Sequence, residues 1–218
     1  MYELYYAHHT ASLSVHWVLV HLELAHSVSY KTHLLDFTQS QQKSDSYLDL
    51  NPKGRVPTLI TPSGPLTESP AILLYLAESH PTANLAPAPG SQHRAKFLET
   101  IIFLANSLLP ALRDHIYAGK DGPGGDAAEA VKELSAKKLG QTWDLLDKQL
   151  EGNEWLVGER VSVVDFLVVS VTGWMKSIED EACKRENVKR LVRKMKERDD
   201  WKEVVRREDE EKAKNEDA

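Results

Sequence analysis

Hydrophobic and polar positions follow a mixed pattern in the first third of the chain. The stretch YELYYA alternates as a half-buried strand does, and residues 12–26 carry apolar positions at helical spacing. YKTHLLD has a second strand pattern, and a polar loop follows it. The pattern therefore predicts a strand, an amphipathic helix and a second strand, in that order.

A hairpin and another helix complete this part of the chain. RVPTLI and PLT flank the turn TPSG, a typical hairpin signal, and ESPAILLYLAESH has the pattern of a helix. Strands joined by a crossover helix run parallel, whereas hairpin strands run antiparallel. We therefore expect an α+β domain with a mixed four-stranded sheet over residues 1–80.

The rest of the chain shows helical periodicity only. The segment PTANLAPAPGS, residues 81–91, is rich in proline and alanine and predicts a linker between two domains. An all-helical bundle is expected over residues 92–201, followed by a mostly charged tail at 202–218 that frays. The predicted helices cover residues 92–117, 126–150, 162–177 and 184–198.

Composition narrows the class of protein. The chain has 218 residues, of which 41% are hydrophobic, so it can bury a core, and no apolar run approaches the roughly 20 residues that span a bilayer. The N-terminus lacks the basic and apolar regions of a signal peptide, so we expect a cytoplasmic protein without a membrane partner. The net charge of −6 argues against nucleic acid as a partner.

Cysteine and histidine usage bears on metal and disulfide chemistry. The single cysteine, Cys183, excludes an internal disulfide framework and a multi-cysteine metal site. His16, His21 and His26 on the first helix lack the spacing and carboxylate partner of a metal site. We predict that the protein holds no metal.

A proline interrupts the strand pattern RVPTL. Pro57 cannot donate to a ladder, so it is expected at an edge, a strand start or a bend. An edge position with a trans bond is the commoner solution, since only about 5–6% of such bonds are cis. A cis Val56–Pro57 bond is the alternative, and it would turn the backbone of Val56 outward to pair with an extended ligand.

A helix start follows in LTESPAI. Ser69 precedes Pro70, so it is predicted to be the N-cap of the helix. The functional alternative is that Ser69 and nearby N–H groups hold a carboxylate while Glu68 accepts from an ammonium. Together, those groups would bind the head of an amino acid.

The segment VSVVDF predicts the start of a second helix, to which we assign a role in folding and none in chemistry. Ser162 with Asp165 three residues later forms a capping box, and Val161 with Phe166 a hydrophobic staple. The residues that follow are apolar on nearly every side, so we expect the central buried helix of the bundle there.

These motifs, and the chain over nearly its whole length, resemble the cytosolic glutathione transferase family. The block LNPKGRVPTLITPSGPLTESPAILLYLAE is similar to the family's glutathione-site pattern. The resemblance implies a thioredoxin-like N-terminal domain, glutathione as co-substrate and a cis bond before Pro57. Residues implied to bind glutathione are Lys43, Arg55, Val56, Pro57, Glu68 and Ser69.

The first strand and helix resemble the bacterial beta class. YYAHHTASLSVHWV is similar to that class's pattern Y-Y-x-x-x-A-C-S-L-x-x-H, but Ala11 replaces its cysteine, which excludes mixed-disulfide chemistry there. Ser12 is the first choice for the group that hydrogen-bonds the glutathione sulfur, with Thr10 and Tyr6 behind it. Ile102 and Leu109 stand where the class has its second-domain asparagine and histidine. Asn106, Arg113 and Tyr117 are the candidate lining of the acceptor pocket.

The resemblance implies a glutathione S-transferase, in which the glutathione thiolate attacks a small, mostly apolar electrophile, and a homodimer. A glutathione-dependent isomerase or biosynthetic tailoring enzyme needs the same thiolate, so it remains an alternative. A non-enzymatic binding module of the same fold is a further alternative, against which the presence of Pro57, Glu68 and Ser69 argues.

Overall fold

The N-terminal part of the chain forms the predicted mixed sheet. A computed structural model describes residues 1–121 and 124–216. The sheet order is β2-β1-β3-β4, with β1 parallel to β2 and both other pairs antiparallel. The prediction of an α+β domain with a mixed four-stranded sheet is therefore confirmed. The strands are β1 (Tyr2–Tyr6), β2 (Tyr30–Leu34), β3 (Thr58–Thr61) and β4 (Gly64–Thr67).

One face of this sheet packs under helices. Tyr2, Leu4 and Tyr6 of β1 are buried, whereas Glu3 and Tyr5 between them are only half-buried. This alternation is the period of two that a strand imposes on its side chains. The helices of this part are α1 (Ser12–His26), the short α2 (Asp45–Leu48) and α3 (Ser69–Ser79).

Helix α1 has the predicted bounds but is buried on nearly every side. Ten of its residues are buried, including the polar Ser12, Ser14 and His16. An amphipathic helix would expose one face, but here the C-terminal part of the chain covers that face as well. Helix α1 therefore lies between the sheet and the helical domain.

The second part is the predicted all-helical domain. One predicted helix differs: the helix expected at 162–177 ends at Thr172, and a separate short helix follows after Met175. Part of the predicted break AGKDGPGGD, residues 122–123, lies outside the described residues. The helices are α4 (Arg94–Phe103), α5 (Leu109–Asp121), α6 (Gly125–Gln149), α7 (Val163–Thr172), α8 (Lys176–Ala182), α9 (Glu186–Lys196) and α10 (Asp199–Glu216).

Helices α4 and α5 are joined without a break by a π-helical turn at Leu104–Leu108. Pro110 follows this turn, and a proline inside a helix has no N–H and clashes with the carbonyl four residues earlier. A wider turn before the proline relieves that clash. The helix Arg94–Lys120 is long and apolar enough to cross a membrane by length and composition, a test that core helices of soluble bundles also pass.

The predicted capping box is present at the start of α7. Asp165 Oδ2 accepts from the backbone N–H of Ser162 at 2.8 Å and from its hydroxyl at 3.1 Å, and Oδ1 accepts from Leu156 N at 2.9 Å. Asp165 is fully buried. Burial raises the pKa of its carboxyl to about 6, although the hydrogen bonds from Leu156 and Ser162 act in the opposite direction.

The prediction of a frayed tail at 202–218 is wrong for the residues that the structure describes. Helix α10 continues to Glu216, while residues 217 and 218 lie outside the described part. It packs along α1, and it buries Val204 and Glu208 among otherwise charged residues. Composition alone predicted disorder, because the few buried positions of this helix find their partners only in the other domain.

Two acidic side chains of α10, the buried Glu208 and the half-buried Glu211, contact the N-terminal domain. The Glu208 carboxylate accepts from His16 Nδ1 at 2.9 Å and faces His8 Nδ1 at 3.5 Å. Burial raises the pKa of Glu208, but the hydrogen bonds from His16 and His8 outweigh it and leave the pKa below its usual value. Glu211 accepts from the hydroxyls of Tyr6 and Thr32, the latter at 2.7 Å.

We expect Asp165→Asn to destabilise the fold by about 2–4 kcal/mol, because one amide oxygen cannot accept from all three donors and its NH₂ would face an N–H. The measurement is the free energy of urea unfolding. Asp180→Asn is the matched control, since Asp180 is exposed and pairs only across one helical turn with Lys176. Equal effects of the two substitutions would contradict this role for the box.

We expect Glu208→Gln to lower the free energy of unfolding at neutral pH by about 1–3 kcal/mol. A carboxyl whose folded pKa lies below the usual 4.5 stabilises above that pH, and the stabilisation is lost as the pH falls through the folded pKa. As the pH falls, the free energy of unfolding should therefore decrease less in the variant than in the wild type. The measurement is urea unfolding at a series of acidic pH values. Glu210→Gln, an exposed acid of α10 paired with Arg206, should leave the wild-type pH profile unchanged.

Candidate functional site

The turn from β1 into α1 is held by two hydroxyl side chains. Ser12 Oγ lies 3.2 Å from Ala7 N and 3.0 Å from Ala7 O, so it is placed both to accept from and to donate to the same peptide unit. Thr10 Oγ1 lies 2.7 Å from Ala7 O and 2.6 Å from Ser12 Oγ. These contacts close a turn that contains no glycine.

Each hydroxyl has one proton, and the turn can use both. In one arrangement Thr10 donates to Ala7 O and Ser12 donates to Thr10. In the other, Ser12 donates to Ala7 O and Thr10 donates to Ser12. Only in the second arrangement can the Thr10 proton turn outward without leaving Ala7 O unpaired. Ser12 is fully buried, while Thr10 is half-buried. The geometry favours Thr10 over Ser12 as a donor to a ligand.

Tyr6, the third candidate donor, points away from this turn. Its hydroxyl donates to Glu211 of α10, and its ring packs against the rings of His8 and His16. Burial first, and then the Glu211 carboxylate, raise the pKa of Tyr6 well above its usual value. A side chain committed to a carboxylate in this way joins the two domains and is not a free donor, which corrects its place among the candidates.

The start of α3 is tied to the same turn. Ser69 Oγ donates to Ala11 O at 2.9 Å, and Ser69 is buried. The helix begins at Ser69 itself, with Glu68 in the N-cap position, so the prediction that Ser69 caps the helix is wrong. The hydroxyl bridges α3 to the start of α1, and it brings two helix N-termini together.

The predicted cis bond between Val56 and Pro57 is confirmed. The loop before it is held by buried polar side chains. Tyr47 Oη and Asn51 Nδ2 both donate to Arg55 O at 2.6 Å, and both also contact the hydroxyl of Thr58. This network fixes the chain that enters β3.

Glu68 has a left-handed backbone, with φ of 73°, a conformation that costs a non-glycine residue of order 1–3 kcal/mol. Its carboxylate pairs with Lys53, whose Nζ lies 2.6 Å from Glu68 Oε1. The sequence reasoning missed Lys53, although it lies in the motif NPKGRVP. A signal for it was available, since a lysine in a fixed turn beside a predicted acidic ligand is a natural partner.

Lys43 and Arg55 flank this region and are both exposed. Gly54 has φ of +58°, and a side chain there would come within 2.7 Å of Lys43 Nζ and 2.8 Å of Gln42 O. A glycine is therefore required, and its bare backbone lets the Lys43 ammonium lie over the turn. The carbonyl of Arg55 is used by the loop network, whereas its guanidinium is on the surface.

The second-domain candidates lie on the continuous helix of α4 and α5. Arg113 stacks over the ring of Tyr117 at 4.8 Å, and both are half-buried. Asn106 lies in the π-helical turn and is exposed. The structure brings Arg113 and Tyr117 together, and their contribution to an acceptor pocket stays a prediction.

Two cavities lie away from these residues. One of about 230 Å³ lies between β2 and α10 and is lined in part by His16, Tyr30 and Arg207. The other, of about 270 Å³, lies among α5, α6 and α8, with Leu139 and Trp143 on its wall. Within residues 1–121 and 124–216, no three or more histidine, cysteine, aspartate or glutamate side chains are grouped so that they could hold a metal ion.

Family models match both parts of the chain. The model "Glutathione S-transferase, N-terminal domain" matches residues 3–78, and "Glutathione S-transferase, C-terminal domain" matches residues 103–199. Helix α10 thus lies almost entirely beyond the matched residues. The division into domains at 1–80 and 92–201 with a linker at 81–91 stays a prediction.

Individual relatives agree with the family models. Glutathione S-transferase GstA of Escherichia coli O157:H7 is 27% identical over 72% of this chain and 75% of its own length. Glutathione S-transferase stcT of Emericella nidulans is 30% identical over 69% of this chain and 67% of its own length. A sphingomonad glutathione S-transferase complexed with glutathione is 27% identical, with a TM-score of 0.78 over 94% of this chain and 98% of that one. The chain belongs to the glutathione S-transferase family, whose co-substrate is glutathione.

Proposed function

We propose that this chain binds glutathione at the turn between β1 and α1 and the start of α3, and that it activates the thiol for attack on a small, mostly apolar electrophile. The observation that carries the proposal is the hydrogen bond from Ser69 Oγ to Ala11 O, which joins the two helix starts. Anions bind readily at helix N-termini, where backbone N–H groups point outward. One helix start can therefore serve the amino-acid head of glutathione while the other serves its sulfur.

The γ-glutamyl head of glutathione carries an ammonium and a carboxylate. In our proposal Glu68 accepts from the ammonium, and the N–H groups at the start of α3 donate to the carboxylate. The backbone of Val56, beside the cis Pro57, pairs with the cysteinyl part, while Lys43 and Arg55 supply positive charge for the glycyl carboxylate. Ser69 contributes its backbone N–H in this assignment, because its hydroxyl donates to Ala11 O.

The sulfur lies next to Thr10 in this proposal. A free thiol has a pKa of about 8.5, so only a few per cent is ionised at neutral pH. A hydroxyl donor together with a helix N-terminus can lower that pKa by about one to two units, which is roughly 1.4 to 2.7 kcal/mol. Ser12 then keeps Ala7 O satisfied while Thr10 turns its proton to the thiolate.

The acceptor site is proposed to involve the helical domain. Arg113, Tyr117 and Asn106 lie on the helix of α4 and α5, where an aromatic ring with a stacked guanidinium offers an apolar surface with one polar edge. Exposed apolar side chains on α4 and α6, among them Ile102 and Leu134, are the proposed contact surface of the homodimer that the family resemblance implies. We propose a cytoplasmic homodimer.

The reaction is tested by following glutathione in the presence of an aromatic halide. In conjugation, the sulfur forms a bond to the ring carbon, the halide leaves with its electron pair, and one glutathione is consumed for each product. We expect loss of free thiol equal to halide release. No loss of thiol and no halide release would contradict conjugation. A second assay with a cis-configured unsaturated carbonyl compound tests the isomerase alternative, which product formation with no net loss of glutathione would support.

We expect Thr10→Val to raise the pKa of bound glutathione by about one unit, since one charge-assisted hydrogen bond is lost. Turnover at neutral pH should fall about tenfold, and the loss should shrink as the pH rises and the thiol ionises unaided. The measurement is the ultraviolet absorbance of the thiolate in the complex, as a function of pH.

Ser12→Ala serves as the comparison for Thr10→Val. It leaves the peptide unit of Ala7 without its hydroxyl partner, so it should lower the free energy of unfolding, which Thr10→Val should change less. If Thr10→Val leaves the thiolate absorbance unchanged while Ser12→Ala shifts it at constant stability, the donor is Ser12 and our choice of Thr10 is wrong.

A further inference from the structure

Lys53 lies on the surface, at the edge of the proposed glutathione site. Its Nζ lies 2.6 Å from Glu68 Oε1 and 3.3 Å from Thr67 Oγ1, so the ammonium lies over the end of β4. Both members of the ion pair are exposed: 54% of the Lys53 side chain and 64% of the Glu68 side chain face solvent. A ligand that reaches Glu68 must therefore come close to Lys53.

The backbone of Lys53 is fixed although its side chain is on the surface. Lys53 N donates to Asn51 Oδ1 at 3.2 Å, and Gly54 N donates to Asn51 O at 2.8 Å. Asn51 is buried and also donates to Arg55 O. The turn from which the lysine projects is thus anchored in the core, so the position of the ammonium depends on the side chain alone.

The Lys53–Glu68 pair has donors and acceptors that its own contacts do not use. A lysine ammonium has three protons, of which Glu68 and Thr67 use two. The carboxylate of Glu68 meets Lys53 through Oε1, which leaves Oε2 able to accept another hydrogen bond. The pair therefore offers one donor with positive charge and one acceptor with negative charge, side by side.

We propose that Lys53 joins the N–H groups at the start of α3 in binding the α-carboxylate of the γ-glutamyl head while Glu68 binds its α-ammonium, so that the Lys53–Glu68 pair recognises the amino-acid zwitterion as a unit. This inference rests on the proposed function, since it takes glutathione as the ligand of Glu68. An amino acid holds its two charged groups on one carbon, at a spacing close to that of the Lys53–Glu68 contact. The Lys53 ammonium then pairs with the ligand carboxylate, and the Glu68 carboxylate pairs with the ligand ammonium. Each of the four charges is next to charges of the opposite sign.

If the Lys53–Glu68 ion pair had no role in binding, a different effect of removing Lys53 would be expected. Exposed lysine–carboxylate pairs contribute about 0–1 kcal/mol to stability, and their loss is rarely felt elsewhere. If Lys53 served only to neutralise Glu68, its removal would free that carboxylate and strengthen the binding of any ligand ammonium. The two roles therefore differ in the sign of the effect on glutathione affinity.

The test is calorimetric titration of the full chain and Lys53→Met with two ligands. One is glutathione, and the other is 4-aminobutanoyl-cysteinylglycine, which lacks the α-carboxylate but keeps the ammonium. We expect Lys53→Met to weaken glutathione binding about tenfold, the loss of one charge-assisted hydrogen bond, and to change binding of the second ligand less than about twofold. Lys53→Arg should restore most of the glutathione affinity.

Lys96→Met is the matched control, because Lys96 is also an exposed lysine paired with a glutamate, Glu99, but lies on α4. It should leave both affinities unchanged. Glu68→Gln should weaken both ligands, since both carry the ammonium.

An equal loss for both ligands, or tighter glutathione binding by Lys53→Met, would overturn the proposal. Absence of glutathione binding by the unaltered chain would contradict the proposed function itself, so the two failures can be told apart.

Discussion

The strand-to-helix turn at residues 7–12 is the constraint from which the rest of the site follows. Ala7 ends the strand pairing, so both of its peptide groups need new partners as the chain enters α1. Ser12 supplies both through one hydroxyl, at 3.2 and 3.0 Å. The turn therefore holds its shape without glycine, and it presents the carbonyl of Ala11 to Ser69. The position of α3, and with it that of Glu68, depends on this arrangement.

Helix α10 secures the other side of the same turn. Glu208 faces His8, which lies inside the turn, and His16, one helical turn into α1. Asp200 accepts from Trp17 and His21 at 2.8 Å each. Burial raises the pKa of Asp200, but the hydrogen bonds from His21, Arg198 and Trp17 outweigh it and hold that pKa low. The buried acids of one helix thus fix the first helix of the other domain along its length.

Sequence patterns predicted the bounds of α1 and the capping box at Ser162, because both depend on neighbours in the chain. They predicted the mixed sheet because the type of connection fixes the direction of each strand pair. They missed α10, because its acidic side chains have their partners on α1 and β1, far away in the sequence. They also ranked Ser12 above Thr10, since hydroxyl spacing does not say which proton the turn itself consumes. Lys53 was missed for a different reason: its partner Glu68 lies fifteen residues later in the chain and is brought beside it by the β3–β4 hairpin.

Ala11 stands where the bacterial beta class, which this turn resembles, has a cysteine, and this limits the chemistry that the turn can support. An alanine methyl offers no covalent route, so in our proposal a bound thiol is activated only by non-covalent means, a hydroxyl donor and the helix N-terminus. The two hydroxyls beside Ala11 already satisfy each other and the peptide of Ala7. Turning the Thr10 proton to a thiolate exchanges one neutral hydrogen bond for a charge-assisted one, which is roughly twice as strong. In our proposal this exchange is favourable only when the sulfur is ionised, so the closed turn of the free protein and the thiolate donor of the proposed complex are two states of the same pair of hydroxyls.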